Sequence, residues 1–263
     1  MKLIAFCEAP ADFRLVSDLV DRVLRESEQT PPWVIDNFET PEAIRTWQPD
    51  GSGRPYFDLH HLNDYTKELD IRGVRGHFNG RLGGPGSAMA RKAFLIARAV
   101  NKRTTEPIDV VVLVWDTDQQ RGDRPDGVAL ARDDARRWAR FQIVCGFPDP
   151  EREAWVLAGF EPCDDVEHQL LEELHRTLGF SPVVDAVRLR DKTHGALRNI
   201  KRVLDVLTRA DADREARCWT DPPLVTLRAR GVATGLSAFL DGLDASLLPL
   251  LDPAAGARRS GQE

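Results

Sequence analysis

The sequence lacks several features that would assign it to a familiar class. None of its apolar runs approaches the roughly 20 residues of a membrane span. Its four cysteines show no CxxC spacing, which argues against a zinc site or a disulfide framework and favours reduced thiols in a cytoplasmic protein. Acidic residues come too early for a signal peptide. The motifs GxxxxGK(S/T), HExxH and GxSxG are also missing, so none of the corresponding nucleotide, zinc or serine sites is predicted.

The charge pattern is uneven. The chain has 263 residues and a net charge of −6, which argues against a general nucleic-acid coat. Between Arg72 and Arg103, however, every charged residue is basic. An enzyme that acts on phosphodiesters needs a basic surface beside its acidic site. A solvated helix face explains the same stretch equally well.

The most informative stretch covers residues 110–118, VVVLVWDTD. Five apolar residues, four of them β-branched, predict a strand buried on both faces at the centre of a parallel sheet. Asp116 and Asp118 are two apart, so an extended chain would point both carboxylates to one side of the sheet's C-terminal edge. A divalent cation would relieve their repulsion. The alternative is a polar loop with both charges in water.

Further acids follow the other predicted strands. A short strand, KLIAFC, opens the chain, and Glu8 stands at its end. A helix is predicted over residues 13–26, with Asp12 where an N-cap belongs. Glu153 follows a third strand, FQIVCG, although a helix N-terminus also favours an acid there. If these strands are neighbours, their acids converge, and hard oxygen ligands suit Mg²⁺ or Mn²⁺.

A glycine-rich segment, residues 73–86, precedes a helix capped by Ser87. Backbone N–H groups at a helix start can cradle a phosphate. A flexible loop over a site is the other interpretation. The adjacent His60 and His61 are interpreted as a surface pair, because neighbouring side chains point in different directions. The candidate phosphate-binding residues are Arg75, His77, Arg81 and Arg91.

These motifs resemble the Toprim domain of topoisomerases, primases and OLD-type nucleases. The family pattern is strand–EG–x–x–D followed by strand–DxD. Here EAPAD, from Glu8 to Asp12, matches the first motif with Ala9 in place of glycine, and DTD matches the second. The segment EREAWVLAG resembles a short helix of small stand-alone Toprim-like proteins. Some of those proteins are encoded beside ATPases and are suspected in phage defence. The matches cover roughly residues 2–160.

The resemblance implies a Rossmann-like Toprim fold with a mostly parallel sheet flanked by helices. It also implies a Mg²⁺- or Mn²⁺-dependent nuclease that cleaves DNA or RNA, with a role in phage defence. In OLD-type nucleases a later lysine assists catalysis, and Lys192 and Lys201 are the candidates here. The metal ligands implied are Glu8, Asp12, Asp116, Asp118 and Glu153. The catalytic residues implied are Glu8, Asp116, Asp118 and Lys192.

The predicted organisation has three parts. Residues 1–190 form the Toprim-like α/β domain, with residues 30–37 as a weak second strand. Residues 191–252 form a helical C-terminal extension packed on that domain. Residues 253–263 have the composition of a disordered tail.

Two other functions fit the same sequence. The chain could be a non-catalytic or partner-activated subunit of an ATPase-containing complex. Its leucine-rich C-terminal third could serve an interface, although packing in the chain's own core explains the leucines better. A homo-oligomer also fits the sequence. The chain could also be a phosphatase or phosphotransferase acting on a small phosphate ester. Activity on such an ester alone would favour the last reading.

Overall fold

The computed structural model describes residues 1–73, 76–78, 80–118 and 122–252, which form an α/β fold. Within these residues, no helix is both long and apolar enough to cross a membrane. The strands are β1 (Lys2–Cys7), β2 (Thr46–Trp47), β3 (Phe57–Asp58), β4 (His77–Phe78), β5 (Arg81–Leu82), β6 (Val110–Val114) and β7 (Gln142–Gly146). The helices are α1 (Pro10–Glu26), α2 (Pro32–Asp36), α3 (Pro41–Ile44), α4 (Leu62–Glu68), α5 (Ser87–Asn101), α6 (Asp123–Ala135), α7 (Glu153–Ala158), α8 (Asp165–Leu178), α9 (Ile200–Thr208), α10 (Ala212–Thr220), α11 (Leu224–Arg230) and α12 (Leu236–Leu247).

The main sheet is parallel and has the order β2-β1-β6-β7. β6 lies between β1 and β7, with Val110 opposite Leu3 on one side and Gln142 on the other. β3 pairs in parallel with the last two residues of β1. β4 and β5 form a separate antiparallel hairpin. The predicted mostly parallel sheet flanked by helices is therefore confirmed, and the carboxyl ends of β1, β6 and β7 share one edge.

β6 is apolar throughout, and β1 is apolar after Lys2, because both faces of the sheet are covered. Successive side chains of a strand point to opposite faces. β1 therefore sends Leu3 and Ala5 into one hydrophobic core and Ile4 and Phe6 into the other. β6 divides its side chains in the same way. The first core is completed by α1 and by the helices from α7 to α12, and the second by α4, α5 and α6.

The C-terminal helices belong to the first of these cores. Phe239 of α12 is fully buried, and its ring stacks on that of Trp155 with centroids 4.9 Å apart. The predicted division of the chain at residue 190 stays a prediction. The predicted tail, residues 253–263, lies outside the described residues.

The predicted weak strand over residues 30–37 is wrong, because this segment contains helix α2. Pro32 is the first residue of that helix and Pro31 its N-cap. The first helical N–H has no partner within the helix, so a proline costs nothing there, and its fixed φ suits a helical start. The two prolines thus begin a helical turn where the sequence suggested entry into a strand.

Helices α5 and α6 approach closely at Gly127, and this contact yields a testable prediction. A Cβ atom at Gly127 would lie 1.9 Å from the carbonyl oxygen of Pro85. We expect Gly127→Ala to lower the free energy of unfolding by about 1–3 kcal/mol, because the helices must separate. Urea denaturation measures this loss. The control is Gly122→Ala, whose added Cβ meets nothing within 4 Å. An equal effect at both positions would contradict the packing argument.

Candidate functional site

A cleft of about 570 Å³ lies where β1, β6 and β7 end. Crevices of this kind form beyond the carboxyl ends of parallel strands, where loops distant in sequence meet. The cleft brings together all five acids assigned to a metal site, and Lys192 with them. Its lining residues are Glu8, Ala9, Ala11, Asp12, His60, Asp116, Asp118, Glu151, Arg152, Glu153, Lys192, Asn199 and Lys201.

Glu8 and Asp12 enter the cleft from the turn between β1 and α1. Glu8 follows the last residue of β1, and its Oε1 accepts a hydrogen bond from Trp115 Nε1 at 3.1 Å. Asp12 is not the N-cap that its spacing suggested, because α1 begins at Pro10 with Ala9 as the N-cap. The Oδ2 atom of Asp12 instead accepts the backbone N–H of Ala9 at 3.0 Å. This bond fixes the carboxylate against the first turn of α1.

Asp116 and Asp118 lie beyond the central strand rather than on it. β6 ends at Val114, and the next segment is held by Thr117, whose backbone N–H donates to the carbonyl of Pro148 at 2.9 Å. Asp118 has a φ of 51°, a left-handed conformation that is uncommon outside glycine. The two carboxylates therefore do not follow the alternation of an extended chain. Both nevertheless line the cleft.

Two cations hold Asp118. Arg124 places Nη1 3.2 Å from Asp118 Oδ2 and also donates to the backbone carbonyl of Asp116, while its guanidinium stacks 4.3 Å from the Trp115 ring centroid. Lys192 donates from Nζ to Asp118 Oδ1. Burial raises the pKa of Asp118, but the hydrogen bond from Lys192 and the charges of Lys192 and Arg124 outweigh it. The pKa of this carboxyl is therefore lowered.

The third group of side chains comes from the segment between β7 and α7. Glu153 is the first residue of α7 and is buried. Its neighbours Glu151 and Arg152 also line the cleft, and sequence reasoning missed both. The sequence signal that could have indicated them is the alternation of acidic and basic residues in EREAW, directly after a strand. The two candidate lysines meet at Glu151, with Lys201 Nζ 3.2 Å from Oε2 and Lys192 Nζ 3.7 Å from Oε1.

His60 also lines the cleft and lies two residues after the end of β3. Its backbone N–H donates to Asp58 Oδ1 at 2.8 Å, and its Nε2 lies 3.9 Å from Glu8 Oε1. The neighbouring His61 turns toward Asp64, with Nδ1 3.3 Å from Oδ2. The sequence offers no signal that separates the two histidines, because only the short pairing of β3 with β1 brings His60 to Glu8.

Asp116 shows how strongly the acids of the cleft affect one another. Burial raises its pKa, and the charges of Asp12, Glu153 and Glu8 add to this effect, giving a pKa of about 9. Burial is also the main cause that raises the pKa values of Glu8, Asp12 and Glu153. Each ionised carboxylate in this cleft makes the next harder to ionise. Such a set of acids favours a bound cation.

The chemistry of the lining fits a hard divalent cation. Carboxylate oxygens are the protein ligands that Mg²⁺ and Mn²⁺ prefer. In the described part of the chain, no three of the cleft acids offer ligand atoms that lie within 4.8 Å of one another. Among the described residues, the group of three ligand atoms within 4.8 Å of one another is formed by Cys163, Asp164 and Glu167, outside the cleft.

The group at Cys163 has a structural explanation. Asp164 is the N-cap of α8, and its side chain accepts the backbone N–H of Glu167 at 2.8 Å. Glu167 is fully buried and accepts hydrogen bonds from Arg214 Nε at 2.7 Å, from Arg214 Nη2 at 2.8 Å and from the backbone N–H of Cys163 at 2.9 Å. These carboxylates are occupied by donors of the chain, so we assign the group to a helix cap closed by an ion pair.

The candidate phosphate ligands lie apart from the cleft lining or outside what the structure describes. Arg75 falls outside the described residues, and the backbone alone is described for Arg81, in β5. His77 lies in β4 and is exposed. Arg91 donates to the backbone carbonyl of His77 at 2.7 Å and to Asp134 at 2.8 Å, so it joins the hairpin to α5 and α6. Neither His77 nor Arg91 lines the cleft, and phosphate binding by these residues stays a prediction.

Comparisons of this chain with models of known families, with curated proteins and with solved structures find no match. The resemblance to Toprim domains therefore depends on the short motifs around Glu8, Asp116 and Glu153. The arrangement of the cleft carries the functional argument instead.

Proposed function

We propose that this chain is a Mg²⁺- or Mn²⁺-dependent nuclease that cleaves phosphodiester bonds in DNA or RNA. One observation carries the proposal. Acids from the ends of three neighbouring parallel strands line one cleft, and burial together with their mutual repulsion raises the pKa of Asp116 to about 9. A folded chain gains little from such an arrangement unless a cation neutralises it.

A Toprim-like fold is part of the same proposal. The strand before Glu8 and the strand before Asp116 pair directly in parallel, with Phe6 opposite Leu113. This pairing places the segment EAPAD beside the segment DTD, which is the juxtaposition that the motifs of the family imply. A role in phage defence and a partnership with an ATPase are further expectations of the resemblance, and we carry them as proposals.

We assign separate roles in metal binding and phosphate binding to the residues of the cleft. Glu8, Asp116 and Asp118 would hold the cation, with Asp12 and Glu153 completing the site. When bound, Mg²⁺ or Mn²⁺ supplies a Lewis acid for the phosphoryl oxygen and lowers the pKa of a water molecule. The side chain of Lys192 is about half exposed at the cleft, where it pairs with carboxylates. From this position its positive charge can stabilise the negative charge of a substrate phosphate.

A cleavage assay tests the proposal. The purified chain is incubated with supercoiled plasmid, single-stranded DNA or tRNA in the presence of Mg²⁺, Mn²⁺ or EDTA. We expect metal-dependent cleavage that falls about 1000-fold in Asp116→Ala, because losing about 4 kcal/mol of transition-state stabilisation has this effect on a rate. Asp221→Asn removes a carboxylate from an exposed ion pair with Arg217 and serves as the control, with cleavage unchanged.

The same assay series includes p-nitrophenyl phosphate, a small phosphate monoester, as a further substrate. Hydrolysis of this ester without cleavage of any polynucleotide would replace the nuclease with a phosphatase. An absence of turnover with either metal on every substrate would refute catalysis by the isolated chain. The partner-activated subunit would then take its place, and capture of the partner would be the next experiment.

A further inference from the structure

Arg152 is a buried cation between the acidic cleft and the C-terminal helices. Its side chain lines the cleft, and only 8 % of the residue is exposed. Three carboxylates surround the guanidinium. Nη1 lies 2.6 Å from Glu215 Oε1, Nη2 lies 3.4 Å from Glu153 Oε1, and Nε lies 3.5 Å from Asp12 Oδ1. Two of these three partners belong to the proposed metal site, and the third does not.

The distances show which of the three carboxylates interacts most strongly with Arg152. A contact of 2.6 Å is a short, charge-assisted hydrogen bond, whereas contacts of 3.4–3.5 Å are at the limit of hydrogen bonding. Arg152 therefore gives its strongest hydrogen bond to Glu215 and a weak one to Glu153, and its contact with Asp12 is an ion pair without a hydrogen bond. The oxygens of Glu153 and Asp12 remain free of a strong donor from this side chain.

Glu215 is held in place by close packing of α10. A Cβ atom at Gly159, just after α7, would lie 1.7 Å from the carbonyl oxygen of Cys218 in α10. The preceding residue, Arg214, is fixed by its two hydrogen bonds to Glu167. Helix α10 thus presents Glu215 to Arg152 from a position with little freedom to shift.

We infer that Glu215 is a positioning residue of the cleft, acting through Arg152. It draws the guanidinium away from Asp12 and Glu153, so that these carboxylates are available to a divalent cation. This inference rests on the proposed metal-dependent function. Without the Glu215 charge, a guanidinium buried this deeply needs other partners, because an unpaired buried charge is costly. Asp12 and Glu153 are within reach, and Arg152 would form closer ion pairs with both.

The experiment measures Mn²⁺ affinity in a double-mutant cycle. Titration calorimetry measures the binding of Mn²⁺ to the protein, and electron paramagnetic resonance measures the concentration of free Mn²⁺. We expect Glu215→Gln to weaken Mn²⁺ binding about tenfold, as is usual for groups that orient metal ligands. In an Arg152→Met background the same substitution should change affinity by less than about twofold, because the cycle isolates an effect that passes through Arg152. Arg152→Gln replaces Arg152→Met if the latter does not fold.

Cleavage kinetics give a second readout. At saturating Mn²⁺ the kcat of Glu215→Gln should stay within about twofold of the starting protein, while half-saturation needs about tenfold more Mn²⁺. The matched control is Asp213→Asn on the same helix, which removes the same charge from an exposed position. This control should change neither quantity by more than about twofold.

The outcomes are distinct. Unchanged Mn²⁺ affinity in Glu215→Gln, or equal weakening in both backgrounds, would overturn the positioning role and leave the proposed function standing. A starting protein that binds Mn²⁺ no better than Asp116→Ala would overturn the proposed metal site, and the positioning role with it.

Discussion

Asp116→Asn is expected to make the metal-free chain more stable, by about 2 kcal/mol at pH 7. The carboxyl of Asp116 has a pKa of about 9 in the fold, so folding suppresses an ionisation that the unfolded chain undergoes freely. Asparagine has a similar shape and no charge to suppress. For a chain of this size the gain corresponds to a melting temperature about 5 °C higher, measured by calorimetry in EDTA.

The pH dependence of this gain has a definite sign. An acid whose pKa is raised on folding favours the folded state at low pH, and this advantage is lost as the pH rises from about 4, its unfolded pKa, to about 9. The Asp116→Asn chain has no such loss at this position. The gap in melting temperature between the two proteins should therefore widen from pH 5 to pH 8. A constant gap would contradict a raised pKa at Asp116.

Mn²⁺ should reverse the ranking of the two proteins. A ligand at about 100 times its Kd stabilises a fold by about 2.7 kcal/mol, which is about 5–10 °C here. We expect this rise in the starting protein and little rise in Asp116→Asn. Asp221→Asn should respond to Mn²⁺ like the starting protein.

Arg214→Met is expected to lower the free energy of unfolding by about 3–5 kcal/mol, because it leaves the carboxylate of Glu167 buried without its cation. Glu167 is fully buried, and Arg214 contacts it through both Nε and Nη2. Urea denaturation at pH 7 measures the loss. The control is Arg217→Met on the same helix, where an exposed pair with Asp221 contributes about 0–1 kcal/mol.

The ion pair between Arg214 and Glu167 should lose its stabilising effect at low pH, when Glu167 becomes protonated. The hydrogen bonds from Arg214, followed by that from the Cys163 backbone, lower the pKa of Glu167 to about 2, against the opposing effect of burial. A lowered pKa contributes stability that is present above the unfolded value, about 4.5, and is lost as the pH falls through about 2. The difference between Arg214→Met and the starting protein should therefore shrink between pH 5 and pH 2. A difference that persists at pH 2 would point to packing rather than charge.

The parts of the fold that the sequence predicts are those with a long apolar signal. β6 and the part of β1 after Lys2 are apolar runs buried on both faces, whereas β7 begins with the exposed Gln142 and alternates buried with partly buried residues. The acids after these strands follow from the placement of the strands in one sheet. β2 and β3 have two residues each, which is too short for any periodicity to appear. His60 reaches the cleft through β3, so its place there could not be predicted.

Contacts between distant residues limit what the sequence could say about the site. Arg152 and Glu215 are 63 residues apart. Arg152 lies in the segment EREAWVLAG, but nothing in that segment or around Glu215 indicates that the two side chains meet. Asp118 illustrates a different limit. The prediction placed it on a strand, but hydrogen bonds to the loop after β7 bend the chain and give Asp118 a positive φ. Local spacing therefore identified the acids but not the backbone that orients them.

The shared core on one face of the sheet bears on how short a working version of this protein can be. Leu3, Val112 and Phe239 belong to the same buried cluster, so the first strand, the central strand and the last helix share one core. A gene truncated after Lys201, the last cleft lysine, would encode every cleft side chain but would remove α12, which packs on β7. We expect an insoluble product, because part of one face of the sheet would be exposed to water. The folding unit that supports the cleft therefore extends to the end of α12.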